Sequence, residues 1–208
     1  MTTAADVKRI TRLVREREPR LILVKRSLIL PPAGHYLRAF NLASLSNKDR
    51  FRIHYLVRPL YEPFTGVGLS FGDSFPNDDY GPWSPSHPHI EERIADAILG
   101  DGMARIEHVD NPEAFLEYVK ALDDLRTGGD WHIFLTHLLL GHRDKATDLG
   151  MQTLRRYYPH ARQSRHTRRF LQLMDGGQAR IDRVLKSWEQ TVVRQLEIER
   201  YWQSPWPS

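Results

Sequence analysis

The densest group of potential ligand-binding side chains lies in residues 149–174, which contain no acidic residue. Arginine can bind phosphate through two hydrogen bonds, and tyrosine can stack on unpaired bases. The segment therefore favours binding of RNA or single-stranded DNA. The alternative is a solvated helix face, because no recognised nucleic-acid motif accompanies it. The candidate residues are Arg155, Arg156, Tyr157, Tyr158, Arg162, Arg165, Arg168 and Arg169.

A second group lies in residues 72–89, where four prolines and two glycines disfavour regular structure. Asp78, Asp79, His87 and His89 supply the carboxylate and imidazole groups that divalent metals bind. With the neighbouring acids over residues 73–92, this pattern makes a metal-dependent hydrolase one hypothesis. The other is that the aspartates serve ordinary turn chemistry.

Aromatic residues form the third group. The loop contains Tyr80 and Trp83, and the chain end contains Trp202 and Trp206. Rings of this size are costly to leave in water. We expect them either to pack on the protein itself or to contact a partner, and we take all four as predicted partner-contact residues.

Gly72-Asp73-Ser74 resembles the nucleophile block of the GDS-type esterases and lipases. The resemblance covers these three residues and would make Ser74 a nucleophile. That family places its serine after the first strand of a parallel α/β sheet, with an Asp-x-x-His pair near the C-terminus. Here the serine follows what reads as the fourth strand of an antiparallel block, and no Asp-x-x-His pair follows it. The sequence therefore does not predict an esterase.

The composition excludes several classes of site. The 208 residues include no cysteine, which rules out disulfides, thiolate metal sites and iron–sulfur clusters. Metalloprotease, phosphate-loop and dinucleotide-binding motifs do not occur. We therefore expect no cofactor and favour a protein that is not an enzyme. The formal net charge of +4 is too small to indicate nucleic-acid binding by itself.

The chain start is charged and lacks the apolar core of a signal peptide. The longest apolar runs are far too short to span a bilayer. We expect a soluble cytoplasmic protein that does not contact a membrane.

The elements that must position these groups follow from hydrophobic periodicity. Arg50 to Leu60 alternates apolar and polar residues, which indicates a strand with one buried face. Residues 21–72 predict a small antiparallel sheet of three or four strands, packed by an N-terminal helix. Apolar residues at helical spacing after residue 88 predict a mostly helical C-terminal half. The expected fold is α+β, as a single domain over residues 1–208: helix and sheet 1–72, irregular loop 72–89, and helical half 88–203.

These features favour a protein-interaction module without enzymatic activity, whose partner is another protein. Small bacterial interaction or toxin-neutralising proteins have a similarly plain composition, which is an analogy and no more. The long amphipathic last helix, from Gln178 to about Trp202, offers a homodimer as the alternative.

Overall fold

The computed structural model describes residues 3–47, 49–62, 71–75, 82–122, 129–157 and 172–207, with the backbone alone for residues 129 and 154–157. The chain divides into two compact units. Unit 1 comprises Met1–Arg58, Gly68–Asp110 and Ile198–Pro205, and unit 2 comprises Pro59–Val67, Asn111–Glu197 and Trp206–Ser208. The single domain expected from the sequence stays a prediction.

Unit 1 begins with two short helices, α1 (Ala4–Ile10) and α2 (Arg12–Arg17). Thr3 starts α1, because its hydroxyl accepts the amide N–H of Asp6 and the Asp6 carboxylate accepts the amide N–H of Thr3. The predicted N-terminal helix is present, with a break at Thr11.

A five-stranded sheet follows, with the strands arranged in the order of the sequence. The pairs β1–β2, β2–β3 and β4–β5 are antiparallel. The predicted α+β class and antiparallel sheet are confirmed, with five strands in place of three or four. The strands are β1 (Ile22–Val24), β2 (Ser27–Ile29), β3 (Tyr36–Ser44), β4 (Phe51–Pro59) and β5 (Phe71–Phe75).

Two local features account for the extra strand and for the longer sheet. Lys25 adopts a left-handed conformation with φ of 55° and turns the chain between β1 and β2, so one apolar run forms a hairpin. At the other side of the sheet, β5 extends to Phe75, which pairs with Ile53. Asp73 and Ser74 therefore belong to the sheet and not to the irregular loop.

A helical segment packs on the apolar face of the sheet. It consists of α3 (Ile90–Ala97), a π-helical turn (Ile98–Gly102) and α4 (Met103–Ile106). Gly102 lies so close to the sheet that a Cβ atom there would be 2.8 Å from Phe40 Cε1 and 2.9 Å from Phe75 Cζ. The close approach therefore requires a residue without a side chain.

The described residues of unit 2 between Asn111 and Glu197 are mostly helical, which confirms the predicted helical C-terminal half. Asn111 caps its first helix, because Asn111 Oδ1 accepts the amide N–H of Ala114 at 2.9 Å. None of the described helices combines the length and the apolar character needed to cross a bilayer. The helices are α5 (Pro112–Ala121), α6 (Gly129–Leu139), α7 (Arg143–Tyr157) and α8 (Gln178–Leu196).

Candidate functional site

The arginine-rich segment is described only at its start. Arg155, Arg156 and Tyr157 are the last residues of α7. The nucleic-acid interface stays a prediction, since the remaining residues lie outside the described part of the chain: Tyr158, Arg162, Arg165, Arg168 and Arg169.

His87 of the predicted metal site contacts Arg93. The guanidinium nitrogen Nη1 lies 2.8 Å from each ring nitrogen of His87, and a cation at that position opposes a bound metal ion. His89 is exposed and precedes α3, and Asp78 and Asp79 lie outside the described residues. Among the residues that are described, no group of three or more histidine, aspartate and glutamate side chains could hold a metal. The metal site stays a prediction.

Trp83, a predicted contact residue, lies in the core of unit 1 and is only 3% exposed. Its amide N–H donates to Phe51 O at 2.8 Å, and the Phe51 amide donates back at 2.9 Å. The indole N–H donates to Phe75 O at 3.0 Å, and the Arg93 guanidinium lies 5.7 Å from the ring centroid. The Trp83 ring therefore packs inside unit 1, and almost none of its surface is accessible to a partner. Tyr80 lies outside the described residues.

Trp206 binds within unit 2. Its indole N–H donates to Glu189 Oε2 at 2.8 Å, and Glu189 is fully buried on α8. Lys186 donates to the carbonyl of Pro207 at 3.3 Å. These contacts attach the end of the described chain to its own helix, so the polar group of Trp206 is already satisfied.

Trp202 lies in the part of unit 1 that comes from the chain end. Its backbone forms a parallel bridge with Ala33. Ala33 N–H donates to Tyr201 O, and Gln203 N–H donates to Ala33 O, both at 2.9 Å. The backbone is therefore held on both sides of Trp202, while the rings of Tyr201 and Trp202 stay partly exposed.

An open depression of about 530 Å³ lies beside this segment, and we call it the tail depression. Prolines and aromatic rings give it flat, largely apolar walls, and two arginines give it positive charge. No acidic residue occurs among its described lining residues. Such a mixture suits a partly apolar and negatively charged group. The lining residues are Pro19, Arg20, Ile22, Pro31, Pro32, Arg200, Tyr201, Trp202 and Gln203.

The two arginines of the tail depression differ in their partners. Arg20 Nε and Nη2 donate to the two carboxylate oxygens of Glu18 at 2.9 and 2.8 Å. This hydrogen-bonded pair raises the pKa of Arg20 and lowers the pKa of Glu18. Glu107 Oε2 also lies 3.6 Å from Arg20 Nη2. Arg200 instead lies 4.5 Å from the ring centroid of Tyr201, and no described carboxylate pairs with it.

The sheet edge that begins at the tail depression is unpaired in the described part of the chain. Ile22 lines the depression and starts β1, whose inner side pairs with β2 through Ile22–Ile29 and Val24–Ser27. No described strand pairs with the outer side of β1. An unpaired edge presents backbone N–H and C=O groups that can pair with another chain.

Among its described lining residues the tail depression has no serine, histidine or carboxylate, which are side-chain types that often act as nucleophiles or general bases.

A serine–histidine pair lies elsewhere, on the sheet. His54 of β4 is directly opposite Ser74 of β5. Burial, followed by the charge of Arg52, lowers the pKa of His54, while Asp73 acts in the other direction. Asp73 Oδ1 accepts the amide N–H of Ser74 at 2.6 Å, and in the described part of the chain neither Ser74 nor His54 makes a side-chain hydrogen bond. The described residues therefore form no Ser-His-Asp arrangement, and the likeness to the GDS-type enzymes ends at three residues.

Unit 2 contains a buried polar group that the sequence does not reveal. His132 Nε2 lies 2.5 Å from Glu62 Oε2. Tyr61 donates to Thr136 Oγ1 at 2.6 Å, and Thr136 donates to the carbonyl of His132 at 2.7 Å. Because these atoms satisfy one another, the group stabilises unit 2 and is not a candidate active site.

The tail depression itself is not predictable from sequence, because its walls come from three separate stretches of the chain. The aromatic pair Tyr201-Trp202 is the signal that could have suggested it. Nothing in the spacing of Pro19, Pro31 and Pro32 indicates that they meet that pair.

No protein-family model, curated protein or solved structure matches this chain.

Proposed function

We propose that this chain is a non-enzymatic protein-interaction module that binds a segment of another protein at the tail depression. One observation carries the proposal: an open depression with partly exposed aromatic rings lies beside the outer edge of β1, with which no described strand pairs. The edge of β1 supplies hydrogen bonds to the backbone of an extended peptide, and the depression receives its side chains. Strand addition of this kind is a common mode of peptide recognition.

The dimensions suit a short peptide segment. The three residues of β1 present an edge of roughly 10 Å, which pairs with three or four residues of an added strand. A volume of about 530 Å³ accommodates a few side chains. Tyrosine and tryptophan are the residue types that most often dominate binding energy at interfaces, and Tyr201 and Trp202 are partly exposed here.

A soluble, cytoplasmic protein remains part of the proposal, supported by the absence of cysteine from this sequence. Two competing functions are a homodimer through α8 and an RNA or single-stranded DNA interface over residues 155–169.

The test is selection of peptides from an unbiased display library against the full chain, followed by fluorescence anisotropy with the enriched peptides. Trp202→Ala removes one of the two aromatic rings that line the depression, while the backbone hydrogen bonds of residues 201 and 203 remain. Met151→Ala is the matched control, because Met151 is an exposed residue of α7 in unit 2.

We expect the selected peptides to lose at least about tenfold in affinity with Trp202→Ala and to bind the Met151→Ala variant like the wild type. Peptides that bind wild type and Trp202→Ala equally would contradict the proposal, as would failure to select any peptide. A dimer seen by light scattering, without peptide binding, would favour the homodimer instead.

A further inference from the structure

We infer that the segment bound at the tail depression is acidic: an extended peptide that places a glutamate or aspartate against Arg200 and an apolar side chain against Tyr201 and Trp202. This inference rests on the proposed function and adds the chemical class of the partner.

The tail depression carries positive charge. Arg20 and Arg200 are the charged residues among its described lining residues, and both are cations. Glu18 and Glu107 neutralise Arg20 from outside the depression. Arg200 has only the ring of Tyr201 as a partner in the described part of the chain. Among the described residues, therefore, no carboxylate is paired with the guanidinium of Arg200, which favours a ligand that brings one.

The position of Arg200 also fixes where that carboxylate lies. The guanidinium carbon of Arg200 lies 4.5 Å from the ring centroid of Tyr201, within the range of a cation–π contact, so the positive charge lies beside the aromatic ring. An arginine held in this way loses less side-chain freedom on binding than a free one. The acidic residue of the ligand therefore lies next to the aromatic wall and not at the far end of the depression.

A peptide fits the site better than a nucleic acid does. The outer side of β1 presents backbone N–H and C=O groups with which no described strand pairs, and such groups match a peptide backbone. A nucleic-acid strand carries a phosphate on every nucleotide and needs several cations along its path. Of the two arginines among the described lining residues, Arg20 is paired with carboxylates and Arg200 is not. One such cation is enough for a ligand with one or two carboxylates.

The experiment uses three labelled peptides with the same valine and leucine residues at alternate positions and with glutamate, glutamine or lysine between them. Anisotropy is measured with the full chain at low and at physiological salt. The variants are Arg200→Gln, Trp202→Ala and the control Arg194→Gln, in which an exposed arginine at the end of α8 is changed. Circular dichroism and thermal unfolding check that each variant is folded.

We expect the glutamate peptide to bind about tenfold more tightly than the glutamine peptide and the lysine peptide to bind most weakly. Arg200→Gln should remove most of that preference and its salt dependence, and Arg194→Gln should leave both unchanged.

The outcomes separate the inference from the proposed function. If the glutamate and glutamine peptides bind equally, and both lose affinity with Trp202→Ala, the inference is wrong and the interaction module stands. If none of the three peptides binds and display selection also fails, both are wrong. If a labelled single-stranded oligonucleotide binds in an Arg200-dependent way and the peptides do not, the site is a nucleic-acid site and both proposals are overturned.

Discussion

Two tryptophans of unit 1 both lie at isolated backbone bridges, one antiparallel and one parallel, and their rings lie in different surroundings. Trp83 forms an isolated β-bridge with Phe51, and Trp202 forms one with Ala33. The ring of Trp83 is buried, and its N–H donates to Phe75 O. The ring of Trp202 lines an open depression. A backbone bridge therefore does not determine how exposed a tryptophan ring is: the ring of Trp83 is buried and that of Trp202 is partly exposed.

The strongest test of this contrast is the matched pair Trp83→Ala and Trp202→Ala. Trp83→Ala should lower the free energy of unfolding by about 3–5 kcal/mol, because it leaves a large cavity in the core. Trp202→Ala should cost about 1 kcal/mol or less, since its ring is already partly in water. Urea unfolding followed by circular dichroism measures both. Equal losses of unfolding free energy in the two variants would mean that the ring of Trp202 stabilises the fold as much as that of Trp83, which would contradict this contrast.

The second test changes Gly72, which lies on the strand that supports Trp83. A Cβ atom at this position would lie 1.9 Å from the carbonyl oxygen of Tyr55, so β5 must move away from β4. Gly72→Ala should therefore lower the free energy of unfolding by about 1–3 kcal/mol.

Gly34→Ala provides the control for that substitution, because no atom lies within 4 Å of a Cβ built there, and it should have little effect. The damage from Gly72→Ala should reach Trp83 through Phe75 and leave the tail depression intact. Peptide binding at Trp202 is therefore expected to survive in the folded fraction. Loss of peptide binding in proportion to loss of stability would show that the two tryptophans are not independent.

A strand could be predicted from the sequence where its own residues alternate between apolar and polar. The alternation from Phe51 to Val57 identifies β4 because one side of it is fully apolar, and Asn111-Pro112 marks the start of α5 by its cap. The hairpin of β1 and β2 was not predictable, because an apolar run without a glycine or proline gives no sign that Lys25 turns the chain. The place of Asp73 and Ser74 in β5 depends on pairing with β4, which is a property of the sheet and not of the segment.

The candidate site was less predictable than the sheet. From the sequence, the aromatic residues could either pack on the protein itself or contact a partner, and both Trp83 and Trp202 were assigned to partner contact. What separates them is the surroundings: Phe51, Phe75 and Arg93 enclose the first. The walls of the tail depression, contributed by distant prolines and arginines, become visible only when the chain is folded.

The smallest expected effect is a dependence of stability on pH that arises beside β5 and not at the tail depression. Burial lowers the pKa of His54, which faces Ser74 of β5, from its ordinary value of 6.5. Between the folded-state pKa and 6.5 the unfolded chain binds more protons than the folded chain. The free energy of unfolding must therefore fall as the pH drops below 6.5 and level off below the folded-state pKa. A single histidine contributes at most about 1.4 kcal/mol per pH unit.

Urea midpoints measured from pH 7.5 down to about 5.5 test this, a range that stays above the titration of carboxylates with ordinary values near 4.5. His54→Gln should remove only part of the decline in unfolding free energy. Burial also lowers the pKa of His137 in unit 2, so His137 destabilises the folded chain in the same direction as the pH falls. His54→Gln combined with His137→Gln should flatten the decline further. A decline unchanged in the double variant would mean that other groups carry it. Stability that rises toward pH 5.5 would contradict the lowered pKa of both histidines.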